Sequence, residues 1–193
     1  MHSRMKYINR WALMRNTRNE NISEHSADVA AIAHALAVIG NIRLGKNLNA
    51  EKAALFGLYH DMPEILTGDM PTPVKYYSEQ MIEAYAQVEE NASRKLLSML
   101  PSDMRDTYRD AFFKKEEDDY LWKIVKAADK LCAYLKCVEE YKNGNNEFKK
   151  ALESSEKIVT EVVLTCRVHR TAVEERSTVL ACCEEYPSCT DLS

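Results

Sequence analysis

The chain has 193 residues, with 26 Lys and Arg against 30 Asp and Glu, for a formal net charge of -4. That length fits one domain that buries its own core without staples, and that charge supplies no basic field to hold a DNA or RNA polymer. Gly 5 and Pro 5 in the whole chain, far below the roughly 12% of an average protein, point to an all-α fold, expected as a single-domain helical bundle over residues 1–193.

Asn21-Ile22-Ser23 reads as a helix start with Ser23 as N-cap, and Val29, Ile32, Ala33, Leu36 and Ile39 then recur at helical spacing. That helix ends between Gly40 and Gly45. Asn49 is placed to cap a second helix through Ala53, Leu55, Phe56 and Leu58 to His60, after which Pro63 marks a break or a fresh start. Gly57, Pro63, Gly68, Pro71 and Pro73 all fall in this short stretch. One long helix is expected from Ser78 to Leu100, then a short one capped by Ser102 or Asp103 and running through Phe112. Asp119 to Lys142 carries Leu121, Ile124, Val125, Ala128, Leu131, Cys132 and Leu135 on one stripe, closed by Gly144-Asn145-Asn146. A last helix follows from about Glu147 to Cys166. No internal repeat or domain linker interrupts the series.

Cys132, Cys137, Cys166, Cys182, Cys183 and Cys189 include no Cys-x-x-Cys pair, and no secretory leader is read at the start of the chain. The thiols are therefore expected to be reduced and the protein cytoplasmic. The apolar run Ala27 to Gly40 is broken by Asp28 and His34 and is shorter than the roughly 20 residues of a bilayer span. Neither a membrane nor a nucleic-acid polymer is expected as a partner.

Four side chains stand where a plain surface helix would not put them: His25, the adjacent His60-Asp61, and Asp129. His25 shares a helix face with Val29, Ile32 and Leu36, and His60 with Phe56 and Ala53, so both imidazoles point toward the core. Asp129, with Val125 and Ala133 one turn away, lies at the rim of an apolar face. A carboxylate there needs a partner, because burying it unpaired costs several kcal/mol. Two imidazoles with two carboxylates suit a divalent cation such as Co²⁺, Mn²⁺, Fe²⁺ or Zn²⁺, and the lack of a thiolate argues against a closed structural zinc site. The alternative reading is a core histidine bonded to a carbonyl beside a capping aspartate. Neighbours on a regular helix diverge by about 100°, so His60 and Asp61 share an ion only if the helix ends there, as Pro63 and Gly68 suggest.

These residues carry a resemblance. His25, His60-Asp61 and Asp129 resemble the H…HD…D pattern of the HD-domain metal-dependent phosphohydrolases. Ile8-Asn9-Arg10-Trp11, Asn21-Ile22-Ser23-Glu24-His25-Ser26, Tyr59-His60-Asp61-Met62-Pro63-Glu64, the run Thr67 to Tyr76 and the run Ala128 to Cys137 are similar to the bacterial 5'-deoxynucleotidases of the YfbR type. The resemblance spans about residues 5 to 150. It implies an all-helical HD fold, a homodimer, and removal of the 5'-phosphate from deoxyribonucleoside monophosphates. It also implies one divalent ion on His25, His60, Asp61 and Asp129, with cobalt or manganese favoured and zinc, iron or copper also suited.

The same resemblance gives Arg10 the task of orienting phosphate, for which its planar fork is apt, and places Trp11, Asp69, Met70, Pro71 and Thr72 around the sugar, with His25, Asp61 and Asp129 facing the substrate too. Trp11 is otherwise read as a core residue, and Arg15 and Arg18 as solvated arginines. Glu64 follows Asp61 by three residues, so the two carboxylates face one way. Asp61 is expected on the ion and Glu64 to accept or donate a proton in the reaction. His34, half a helical revolution from His25, is read as structural, and His2 and His169 have no assigned role.

Two other functions fit parts of this pattern. One is a non-catalytic HD-like module braced by its metal. The other is a different HD phosphohydrolase or phosphodiesterase, for which the extra histidines of a two-metal site have no source beyond His2, His34 and His169. Past Val163 the resemblance ends, and Thr165 to Arg170 and the closing Cys182 to Pro187 have no counterpart in it.

Overall fold

A computed structural model describes residues 2–165, and among these no strand forms beyond an isolated bridge between Asn9 and Asn21. A 3₁₀ turn (His2–Tyr7) precedes α1 (Ile22–Leu44), α2 (Ala50–Tyr59), the short α3 (Glu64–Thr67) and α4 (Thr72–Lys75), α5 (Glu79–Ser98) and α6 (Arg105–Phe112). A second 3₁₀ turn (Glu116–Asp118) leads into α7 (Asp119–Lys142), and a third (Asn146–Phe148) into α8 (Lys149–Thr165). The Cys-rich tail and His169 lie outside the described residues.

Helices α1, α2 and α7 form the centre. Val29, Ala33 and Ala37 from α1, Ala53 and Phe56 from α2, and Leu121, Ile124, Val125 and Ala128 from α7 make one buried cluster. Small residues on α1 let its neighbours come close. At Gly57 a Cβ would stand 2.8 Å from the Cα of Ala30, so only glycine allows α2 this approach. A second cluster, Met5, Ile22, Met62, Ile65 and Leu96, ties the first 3₁₀ turn and α3 to α5.

Two caps differ from expectation. The N-cap of α1 is Asn21, not Ser23: the Asn21 side chain accepts from the Ser23 and Glu24 amides while the Glu24 side chain reaches back to the Asn21 amide. This reciprocal box satisfies more free amides than a serine two residues later could. Neither Ser102 nor Asp103 caps α6, which starts at Arg105 behind Met104 with no side-chain cap. By length and composition alone α1 is long and apolar enough to cross a membrane, a longer stretch than the run from Ala27 to Gly40. Its buried residues include His25 and Ser26, and its core face packs on α2 and α7.

The segment before α1 is held from two sides. The Arg10 amide donates to the Glu20 carbonyl and the Ile22 amide to the Ile8 carbonyl. Deeper in, buried Glu140 of α7 accepts from the Thr17 amide and hydroxyl, the Arg18 amide and the Asn145 side chain, while Lys136 donates to Glu140 and to the Arg18 carbonyl. A loop with no regular structure is thereby positioned over the end of α1.

Candidate metal centre and active site

His25 sits in the first turn of α1 and is fully buried. His60 is the C-cap of α2, where the chain leaves the helix through tight turns from Tyr59 to Met62 and from Asp61 to Glu64. That exit lets two adjacent side chains face the same point. Asp129 reaches it from the middle of α7. Nε2 of His25 lies 3.2 Å from Asp129 Oδ1 and 3.5 Å from Asp61 Oδ2, and Nε2 of His60 lies 3.1 Å from Asp61 Oδ2. One ligand atom from each of His25, His60 and Asp61 falls within a 4.8 Å group that could hold a metal ion.

The chemistry of these atoms fits a cation. Nδ1 of His60 donates to the Gly57 carbonyl at 2.7 Å, which turns Nε2 inward, the nitrogen that a cation takes in place of its proton. Burial lowers the His60 pKa, but the Asp61 and Asp129 carboxylates outweigh that and raise it. The Nε2 atoms of both histidines are buried without an aligned hydrogen bond, although carboxylate oxygens lie within 3.5 Å of each. Burial raises the carboxyl pKa of Asp129, but the close His25 ring and the charges of Lys130 and His60 outweigh it and hold the group well below the usual carboxylate range. Asp61 is lowered in the same way, with burial opposed chiefly by His60. Both carboxylates are ionised at neutral pH.

Glu64 behaves in the opposite sense. Burial first, then the charges of Asp61 and Asp69, push its pKa up to about 10, and its Oε2 is buried without a partner. It is a neutral acid with a proton to give at neutral pH. Asp69 is also raised, chiefly by burial, with the Arg10 charge pulling it back.

Arg10 closes the other side. Its Nη1 lies 2.9 Å from Glu20 Oε2 and 2.7 Å from His25 Nδ1, and its Nη2 lies 3.9 Å from Asp129 Oδ1. The indole of Trp11 donates to the same Glu20 oxygen at 3.0 Å and packs on Phe148. Of the loop after the His-Asp pair, Asp69, Met70 and Pro71 are half-buried and Thr72 is exposed. Asp69 is electrostatically coupled to Arg10, Asp61 and His25.

Other candidates fall away from the cluster. His34 is exposed on α1, on a face away from the buried His25. Arg15 and Arg18 have exposed side chains, and their backbones anchor the loop. His2 is exposed. Glu20 was missed by sequence reasoning. It lies ten residues from Arg10 with no periodic relation to it, and only the pairing of residues 8–10 with 20–22 brings the two together.

Helices α1 and α7 and the turn that ends α2 bring His25, His60, Asp61 and Asp129 to one place, and the all-helical fold that does so is that of the HD-domain phosphohydrolases. An HD-domain phosphohydrolase of Listeria innocua superposes with a TM-score of 0.80 at 24% identity, over 93% of this chain and 86% of that one. The HD phosphohydrolase DatZ of cyanophage S-2L, whose structure holds dA and one catalytic Zn²⁺, superposes at a TM-score of 0.50 with 18% identity, over 87% and 95% of the two chains. At the sequence level, the family model described as 5'-deoxynucleotidase YfbR-like matches residues 1–169. The 5'-deoxynucleotidase of Erwinia tasmaniensis is 52% identical over 159 residues, 82% of this chain and 80% of that protein. The 5'-deoxynucleotidase YfbR of Escherichia coli is 53% identical over 146 residues, 76% and 73% of the two chains. The chain belongs to the YfbR-like 5'-deoxynucleotidase family, and its activity is that of a phosphoric monoester hydrolase acting on deoxyribonucleoside 5'-monophosphates.

Proposed function

We propose that this 5'-deoxynucleotidase works with one divalent cation held by His25, His60, Asp61 and Asp129, and that Arg10, Trp11, Glu64 and the Asp69–Thr72 loop handle the nucleotide. The observation that carries this reading is the pair of buried Nε2 atoms, on His25 and His60, facing ionised carboxylates without an aligned hydrogen bond. When bound, the cation supplies Lewis-acid polarisation of the phosphoryl group and activates the attacking water. Arg10 offers its fork to phosphate oxygens, a charge-assisted bidentate contact. Glu64, neutral at pH 7, gives its proton to the departing 5'-oxygen, so the deoxynucleoside leaves as an alcohol. Trp11 and the Asp69–Thr72 loop wall the sugar and disfavour a 2'-hydroxyl sterically or by leaving it unpaired.

The mixed nitrogen and oxygen donor set favours cobalt or manganese, with zinc, iron and copper also suited. Exposed Val74 on α4, Tyr76 and Tyr77 between the helices, and Met81 and Ile82 at the start of α5 support a homodimer, since exposed apolar side chains close together in the chain suit an association surface. Buried free Cys132 and Cys137 support a cytoplasmic setting. The test is phosphate release from paired deoxy- and ribonucleoside 5'-monophosphates after chelation and re-addition of each ion in turn. Deoxynucleotides are hydrolysed faster than their ribose counterparts, and only with a divalent ion present. Activity that survives complete chelation would refute the single-cation reading.

A further inference from the structure

We propose that Glu20 is a positioning residue of the substrate site, holding the Arg10 guanidinium and the Trp11 indole as one unit. The proposal rests on the reading of Arg10 and Trp11 given above. Both hydrogen bonds end on one atom, Oε2 of Glu20, at 2.9 Å from Arg10 Nη1 and 3.0 Å from Trp11 Nε1. The Glu20 and Arg10 side chains are 14% and 13% exposed, so little water competes for either.

Two further features show what this oxygen does. Trp11 has φ 59, the only non-glycine residue with positive φ among the described residues. L side chains rarely adopt that backbone, and it persists where surrounding contacts fix it. The Trp11 carbonyl accepts from the Met14 amide and the Asn16 side chain, and the Trp11 side chain is held by the Glu20 acceptor and the ring of Phe148, 5.3 Å away. Arg10, in turn, has four acidic neighbours: Glu20, Asp61, Asp129 and Asp69. Three of these belong to the metal and sugar side of the pocket. Glu20 is the one outside it, and it holds the guanidinium while Asp129 waits at 3.9 Å. Without the Glu20 carboxylate, Arg10 turns toward Asp129 and spends its fork on a carboxylate in place of a phosphate.

The backbone link between Arg10 and Glu20 runs through the Glu20 carbonyl and survives side-chain replacement, so the side chain can be tested by itself. In the metal-loaded full chain, Glu20→Ala raises KM for a deoxynucleoside monophosphate about tenfold and weakens inhibition by inorganic phosphate by a similar factor. Glu20→Gln retains one oxygen able to accept from both donors and stays within about threefold of the parent protein on both measures. A role confined to stability would lower the melting midpoint and leave KM and phosphate inhibition unchanged in both variants, and that result overturns the proposal. So does a Glu20→Gln no better than Glu20→Ala. Should Glu20→Ala not fold, Glu20→Asp carries the test, because it keeps the charge but draws the oxygen back by one methylene. It raises KM, and an unchanged KM overturns the proposal. Arg10→Ala separates the two layers of argument: if it alone weakens phosphate binding, only the Glu20 role fails, and if it does not, the reading of Arg10 fails and the Glu20 role with it.

Discussion

Nη1 of Arg10 sits 2.7 Å from Nδ1 of His25. A guanidinium only donates, so this contact asks Nδ1 of His25 to accept and the ring proton to sit on Nε2, the nitrogen on the side of Asp61 and Asp129. Ligation through Nε2 needs the opposite tautomer, which sets two donors against each other at the Arg10 contact. The guanidinium charge also repels a second cation. Arg10→Ala is therefore expected to bind Co²⁺ or Mn²⁺ more tightly, by about three- to tenfold, while losing phosphate affinity and turnover together. Calorimetry of the nucleotide-free protein measures the first effect. Weaker cation binding in the variant would show that Arg10 supports the centre instead of competing with it.

His60 presents its Nε2 because Gly57 holds its Nδ1. His60→Ala removes one ligand from a four-residue set, and the ion content of the purified protein, measured by elemental analysis, should fall to a small fraction of the parent value. Full retention of the ion would remove His60 from the set.

Glu64 carries its proton on a buried carboxyl. Glu64→Gln keeps the shape and the neutrality but has no proton to transfer. Turnover should drop by about 10²-fold or more while cation content and nucleotide affinity hold. A variant without the ion would make Glu64 a ligand, and a fully active one would leave the leaving oxygen to be protonated by water.

Gly57→Ala would force a Cβ to within 2.8 Å of the Ala30 Cα and 2.9 Å of its amide nitrogen. Backbone cannot yield as a side-chain tip can, so α1 and α2 must separate, at a cost of about 1–3 kcal/mol. The melting midpoint should fall by roughly 2–10 °C, and cation affinity should fall with it, because the Gly57 carbonyl orients His60. A midpoint unchanged within error would mean that the helices are not in register as described.

Glu140 links acid stability to the loop that carries Arg10. Burial raises its pKa, but hydrogen bonds from Lys136, Asn145 and Thr17 outweigh that and hold it well below the usual carboxylate range. A carboxyl depressed in the folded state stabilises fully above its unfolded pKa of about 4.3, and this contribution is lost as pH falls through the folded value. Glu140→Gln should cost about 3 kcal/mol at pH 7 and somewhat less at pH 3, where the loss has begun but is not complete. Urea midpoints of the two proteins across that range should converge on the acid side. A constant difference would assign the effect to packing and not to charge.

The helices were legible in the sequence because their signals are local. Asp119 to Lys142 is bounded as its apolar stripe and its closing glycine require, Asn49 caps α2 as expected, and the helix expected from Ser78 starts at Glu79 with Ser78 as its N-cap. His25, His60 and Asp129 could be singled out because a titratable group on an apolar face breaks the helical pattern, and Asp61 came with them as the neighbour of His60. Where two capping residues lay near each other, the pattern could not choose, and Asn21 displaced Ser23 through a reciprocal bond that only the folded turn reveals. The tertiary structure alone decided three further matters: that Asp129 meets His25 across more than a hundred residues, that Glu64 is a neutral acid beside two ionised aspartates, and that Glu20 joins Arg10 to Trp11. Each depends on distance and burial between segments far apart in the chain, and residue spacing along the sequence carries no record of those.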